Sequence, residues 1–304
     1  MSAPADGTAV FARHRGLLFS VAYQVLGSVA DAEDVVQDAW LRWTAADRSG
    51  VLDPRAYLVQ VAGRLALDRL GSAQARRESY VGPWLPEPLL TGTDPVAAAP
   101  APPDPAAAAE VGEQVSLAVL VVLETLSPAE RAVFVLREVF ALSTAEVAAA
   151  LGRSEPAVRQ LAHRAREHVQ ARRPRFDTDQ RAAREVTARF LTACTTGDVG
   201  TLMELLAPGV TLVSDGGGVV SAARRPITGA DKVARFLVGV SVGADEGLRV
   251  ELTGLGGMPG VVVWDGGTAV FAAALGIVDG RVEQVLALLN PEKLARLGAG
   301  GTAT

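Results

Sequence analysis

Three successive helix-start signals between Ser127 and Arg175 constrain this chain more than any other feature of its sequence. Ser127 is followed by Pro128 and then Glu130: a serine cap, proline at the first helical position and a reciprocating glutamate. Ser143 and Glu146 repeat the pattern one helix later, and Ser154 with Pro156 opens a third helix after the turn Leu151-Gly152-Arg153. A short helix, a glycine-containing turn and a second capped helix are the sequence form of a helix-turn-helix.

The last of these helices carries the chemistry. Val158, Leu161, Ala162, Ala165 and Val169 recur at helical spacing and predict one buried face. Arg159, Gln160, His163, Arg164 and Arg166 fall outside that stripe. From Arg153 to Arg175 there are seven arginines against two glutamates. Arg and Gln can each hydrogen-bond base edges in a major groove, and clustered positive charge supplies the phosphate attraction. A solvated basic face on an ordinary helical hairpin would explain the charge but not the rhythm of caps and turn.

A chain of 304 residues has room for two or three domains, and 49% apolar with 21% charged residues is globular composition. Each apolar run is interrupted by Arg, Asp or Glu before it reaches membrane-spanning length, and the N-terminal stretch lacks the order of a signal peptide. Cys194 is the sole cysteine, which excludes an internal disulfide and a cysteine-rich metal site. A cytoplasmic protein without metal, cofactor or membrane partner is expected. The net charge of −5 is acidic for an autonomous DNA binder, so DNA affinity lent by a partner is expected.

Residues from about Thr8 to Arg77 read as helical. Val10, Leu17, Leu18, Val21, Val25 and Leu26 give an amphipathic first helix, and Ser28 with Asp31 can cap a second. In that second helix Val36, Trp40 and Trp43 form a core stripe, while Asp34, Gln37, Asp38 and Leu41 share a neighbouring stripe. A solvated acidic face near a helix start would look the same. A helix from about Arg55 to Arg77 follows, with Arg55, Arg64, Arg69, Arg76 and Arg77 outnumbering Asp68, a balance that suits phosphate contacts on melted DNA. Beyond Tyr80 the segment Trp84-Leu85-Pro86-Glu87-Pro88 leads into an Ala/Pro-rich tether. Exposed Trp84 and Leu85 would be an apolar liability, so this segment should dock on a folded domain. An apolar helix over Val111 to Leu126 feeds the helix-turn-helix.

In this order the parts resemble a bacterial RNA polymerase sigma factor of the extracytoplasmic-function (ECF) type, over roughly residues 8 to 173. The helix Asp34-x-x-Gln37-x-x-Trp40 is similar to region 2.2, which implies core polymerase contacts by Asp34, Gln37, Asp38 and Leu41 on the β′ clamp helices. Arg55 to Arg77 resembles regions 2.3 and 2.4, which implies −10 promoter contacts by Arg64, Arg69, Arg76 and Arg77. Ser127 to Arg172 resembles region 4, which implies a β-flap contact and −35 recognition by Ser154, Arg159, Gln160, His163 and Arg164. Gly63 and Arg64 stand where many ECF factors carry Asn-Arg.

From Thr178 to Leu297 the pattern changes to helices followed by strands joined by Asp-Gly turns, which predicts an α+β cone with a curved antiparallel sheet. The stretch LAPGVTLVSDGGG is expected to turn at Pro208-Gly209 into a strand. This part is similar to the SnoaL-like fold, which encloses a pocket whose ligand, if it has one, the sequence does not identify. Three motifs narrow the resemblance to the ECF sigma factors with a fused SnoaL-like domain (group 41, the SigJ type): WLPEP at Trp84 to Pro88, DGGG at Asp215, Gly216, Gly217 and Gly218, and NPEKL at Asn290, Pro291, Lys293 and Leu294. Val219 follows where that family usually has lysine. The resemblance implies a regulator acting in cis, and the glycine loop Asp215 to Gly218 is expected to pack on Trp84 and Leu85 of the linker.

The expected architecture is therefore multidomain: region 2 over 1–79, a linker over 80–110, region 4 over 111–176 and a SnoaL-like domain over 177–304. No catalytic residue is expected, because all three histidines, His14, His163 and His168, lie outside the third domain, and Asp215 and Asp265 read as turn residues. Two rivals remain: a stand-alone helix-turn-helix regulator with a ligand-sensing domain, and a SnoaL-like cyclase or isomerase fused to a DNA-binding module. The first of these gives no reason for the Asp34 to Trp43 helix, and a polar, acid-lined pocket with turnover would favour the second.

Overall fold

A computed structural model describes residues 7–91, 116–172, 176, 179–241 and 247–298. They fall into two compact units. A helical unit draws on 7–78 and 119–172, and an α+β unit on 79–91, 116–118, 176, 179–241 and 247–298.

The helical unit opens with α1 (Gly7–Leu26), α2 (Val29–Ala45) and α3 (Pro54–Glu78). Ser28 caps α2 by accepting from the Asp31 amide at 3.3 Å, and Asp53, just ahead of Pro54, accepts from the Ala56 amide at 3.0 Å. Val36 and Trp43 are buried as their spacing predicts. Trp43 Nε1 donates to the Gly7 carbonyl at 2.7 Å, and half-buried Trp40 meets Phe11 edge-on at 5.0 Å.

The second set comprises α4 (Leu117–Leu123), α5 (Pro128–Phe134) with a π-helical extension over Val135–Val139, α6 (Thr144–Leu151) and α7 (Glu155–Arg172). The part of the expected Val111 helix ahead of Ser116, like the Ala/Pro-rich tether, lies outside the described residues. Ser127 and Ser143 each complete a capping box, and Ser154 accepts from the Ala157 amide at 3.4 Å. The buried residues of α7 are Val158, Leu161, Ala162, Ala165 and Val169, the stripe that the spacing picks out.

Both sets of helices share one core, since α3 packs against α5 and α6. Gly63 makes the approach possible: a Cβ there would lie 2.9 Å from Leu136 Cδ2. Arg131, only 1% exposed, reaches the Gln24 carbonyl at the end of α1 and pairs with Glu124, which also pairs with Arg77.

The α+β unit contains β1 (Leu90–Thr91), α8 (Gln180–Thr196), α9 (Val199–Leu205), β2 (Leu206–Asp215), β3 (Ile227–Thr228), α10 (Ala230–Ser241), β4 (Arg249–Leu255), β5 (Met258–Asp265), β6 (Thr268–Val278), β7 (Arg281–Leu288) and α11 (Pro291–Gly298). The strands form one sheet in the order β1-β4-β5-β6-β7-β2-β3. The expectation of an antiparallel sheet needs one correction: β2 runs parallel to β7. A second correction concerns Pro208-Gly209. The chain does not turn there; the pair lies inside β2, where the register shifts between Leu206 and Thr211, a bulge that tolerates proline. The turns at Gly266-Gly267 and Asp279-Gly280 have positive φ at both positions, as two-residue hairpins require.

Helices α8 to α10 cover one face of the sheet, with Phe190, Leu202, Val233, Leu275 and Val285 in their shared core. Leu212 of β2 belongs to that core and pairs with Val285. Asp215 follows three residues later and so points to the opposite face. There α11 packs against β6, with Leu294 and Leu297 buried.

Candidate nucleic-acid interface and linker clamp

On α7 the sequence-predicted DNA-binding residues line the exposed side. Arg159, Gln160, His163 and Arg164 are all exposed, and Ser154 sits at the cap. Arg159 pairs with Glu155 at 3.2 Å and Arg164 with Glu130 at 2.8 Å, both pairs open to solvent on the arginine side. Glu130 is thereby held below the usual carboxylate range, first by the Ser127 hydroxyl and then by Arg164. Exposed pairs of this kind are weak and exchange readily for phosphate or base-edge partners.

The arginines assigned to −10 contacts are placed unevenly. Arg64 is exposed on α3. Arg69 instead turns to α2, and Arg77 pairs with Glu124 and donates to the Leu26 carbonyl. The side chain of Arg76 lies outside the described residues. On α2, Asp34, Gln37 and Leu41 are exposed and Asp38 is half-buried, so the four residues form a solvent-facing patch in which Leu41 is 57% exposed.

The second constellation lies wholly within the α+β unit and centres on Asp215, which has no exposed surface. Its Oδ1 accepts from Tyr80 Oη at 2.6 Å and the Gly217 amide at 3.1 Å; its Oδ2 accepts from the Leu85 amide at 2.9 Å and Lys293 Nζ at 2.7 Å. Lys293 also donates to the Leu85 carbonyl, so that Leu85 is gripped through both of its backbone polar groups. Its ammonium lies 4.1 Å from the Trp84 ring centroid and 5.2 Å from that of Tyr80. Asn290 donates to Tyr80 Oη at 2.8 Å, and the Glu292 amide donates to Asn290 Oδ1 at 3.0 Å. Burial and the neighbouring Asp215 carboxylate raise the Tyr80 phenol well above its ordinary value, which keeps it a donor.

The reading of Asp215 as a turn residue is therefore corrected. It does bond the Gly217 amide as a turn aspartate would, but its principal bonds tie the linker to the sheet. Asp265, exposed at the β5–β6 turn, remains a turn residue. The expectation that the glycine loop packs on Trp84 and Leu85 is also refined. Gly217 abuts Asn290 and Gly218 abuts Val81, while Trp84 stacks on Lys293. Leu85 is 1% exposed, Leu90 and Thr91 add a strand to β4, and Glu87 lies 4.0 Å from Arg296. Pro86, Pro88 and Pro291 keep this path extended and open α11. Tyr80 is the member that sequence reasoning missed; it stands outside every motif.

Beside the clamp is a cavity of about 200 Å³ walled by Val81, Pro83, Ser214 and the 216–224 loop, with Arg224 supplying charge. Among the described residues no cluster of His, Cys, Asp or Glu could hold a metal ion, and no helix is long and apolar enough to cross a membrane. Cys194 is buried in the helix-side core, its thiol pushed up to about 12 by burial.

The Sigma-70 region 2 family model matches residues 10–76, and the Sigma-70, region 4 model matches residues 116–169. The chain is 44% identical to the ECF RNA polymerase sigma factor SigJ of Mycobacterium tuberculosis H37Rv over 289 residues, 91% of this chain and 89% of that one. This chain belongs to the extracytoplasmic-function sigma factors. A probable ECF sigma factor of the same organism, SigI, is 33% identical over 298 residues, 96% of this sigma factor and 98% of its own length. The crystal structure of M. tuberculosis SigJ superposes with a TM-score of 0.73 at 40% identity, covering 94% of this sigma factor and 97% of that chain. The likeness spans the helical and the α+β units alike, so the fused third domain is part of what this sigma factor shares with SigJ.

Proposed function

We propose that this sigma factor binds core RNA polymerase through Asp34, Gln37, Asp38 and Leu41 of α2, and reads the −35 element through Arg159, Gln160, His163 and Arg164 of α7. The polymerase supplies the chemistry, with the β′ clamp helices receiving α2 and the β flap receiving the helix-turn-helix. The supporting observation is the division of α7 into a buried stripe and an opposite side carrying two arginines, a glutamine and a histidine in solvent. A helix so mounted can enter a major groove without unpacking its own core. Arg64 is the −10 contact best supported by exposure.

The α+β unit acts in cis by gripping the linker. A segment held at Leu85 by Asp215 and Lys293 cannot serve as a free tether, so the clamp shortens the linker that joins the two sets of helices and limits how far they can separate on a promoter. Asp215, committed to four donors, has a structural rather than an acid–base role. The test is run-off transcription by reconstituted holoenzyme carrying Arg159→Ala and Arg164→Ala. Loss of two base or phosphate contacts should lower output from a −35-dependent promoter by on the order of tenfold or more, with core assembly intact. Unchanged promoter use would refute the α7 assignment.

A further inference from the structure

We propose that Arg69 is a positioning residue for the polymerase-docking stripe of α2 rather than a promoter contact. This rests on the reading of Asp34 and Asp38 as core-binding residues.

Arg69 lies on α3, yet its guanidinium faces α2. Nη2 is 2.9 Å from Asp34 Oδ2, Nη1 is 3.4 Å from Asp38 Oδ2, and Nε is 3.6 Å from Asp31 Oδ1. Every nitrogen of the fork is thus directed at one helix. The three carboxylates sit at positions i, i+3 and i+7 of α2, on a single face, where they would repel one another if left alone. A planar guanidinium answers that repulsion and fixes the side chains, which a lysine's flexible point charge does less well. Three carboxylates lie within 4 Å of this one guanidinium, a surrounding that disfavours a DNA phosphate at this spot.

The same contacts explain how Arg69 serves docking. It engages Oδ2 of Asp34 and Oδ2 of Asp38, and these side chains remain 55% and 49% exposed, within reach of a partner's donors. Acceptors already held in one geometry lose less rotamer freedom on binding. Arg69 also joins the helix that meets the polymerase to the helix bearing Arg64, so the two surfaces keep a fixed mutual orientation.

The test uses the full-length chain and core RNA polymerase. Equilibrium competition is measured for Arg69→Ala, Arg69→Lys, the double variant Asp34→Asn/Asp38→Asn, and Arg69→Ala in that double background. Arg69→Ala should weaken core binding about threefold to tenfold, as expected when several partly exposed ion pairs are lost together, with Arg69→Lys intermediate. In the double background it should add less than about a twofold effect, because the two docking carboxylates that it holds are gone and only Asp31 remains beside it. Holoenzyme assembled at saturating core should bind a single-stranded −10 oligonucleotide as well as the parent does. Core affinity that is unchanged or tighter, an equal loss in both backgrounds, or lost oligonucleotide binding with core affinity intact would each overturn the proposal. If the double variant binds core like the parent, the α2 docking assignment fails first and takes this inference with it.

Discussion

Replacing Asp215 by asparagine removes one charge and almost no volume, which makes it a sharp probe of the linker clamp. In the native site each carboxylate oxygen receives two donors: Tyr80 Oη and the Gly217 amide on one, the Leu85 amide and Lys293 Nζ on the other. Whichever way the asparagine amide is turned, its NH2 group confronts two donors and both bonds are lost. Lys293, 7% exposed at its side chain, loses the carboxylate it is paired with. Breaking a buried pair from one side costs about 3–5 kcal/mol. With a urea dependence of about 1–3 kcal/mol per molar, the unfolding midpoint of the α+β unit should fall by on the order of 2 M. The assay is urea unfolding of the full-length protein followed by near-UV dichroism, with limited proteolysis across residues 79–89 reporting release of the linker. Combining Asp215→Asn with Lys293→Met removes the ammonium together with its carboxylate, so the double variant should cost at least about 1 kcal/mol less than the sum of the single changes. A loss below about 1 kcal/mol for Asp215→Asn, with the linker still protected, would refute the clamp.

Two further predictions concern the helical unit. Gly63→Ala forces a methyl group against Leu136, an overpacking cost of about 1–3 kcal/mol that the roughly 1 kcal/mol gained by alanine inside a helix only partly offsets, so that unit should lose up to about 2 kcal/mol; in a Leu136→Ala background the change should become neutral or stabilising, and equal costs in thermal denaturation would exclude the contact. Glu130 has a depressed folded-state pKa through Ser127 and Arg164, so its contribution is fully present above the ordinary value of 4.5 and lost as pH falls through the lower folded value. Glu130→Gln should therefore be less stable than the parent at pH 7 by about 1 kcal/mol, with the gap closing below pH 4.5, and a gap independent of pH would remove the capping carboxylate from the account.

What was legible in the sequence was mostly local. Capping boxes at Ser127 and Ser143, the buried stripe of α7 and the Asp-Gly hairpins depend on residues a few positions apart, and short-range rules recover them. The clamp was only partly legible. WLPEP, DGGG and NPEKL flag its segments, but nothing in the order of residues says that Asp215 would be fully buried against Lys293, or that Tyr80 would join them. Arg69 and Arg77 show the same limit from the other side. Read along α3 they are surplus positive charge; in three dimensions they meet acids on α2 and just beyond α4. The parallel pairing of β2 with β7 is likewise set by where the chain returns to the sheet, not by the strand's own alternation.

The most direct measurement is equilibrium binding of the full-length chain to core RNA polymerase, followed by transcription from templates that differ only in the −35 box. A tight complex whose output tracks that box is the predicted result. A chain that never assembles with core polymerase, yet binds specific DNA tightly by itself, would contradict the account.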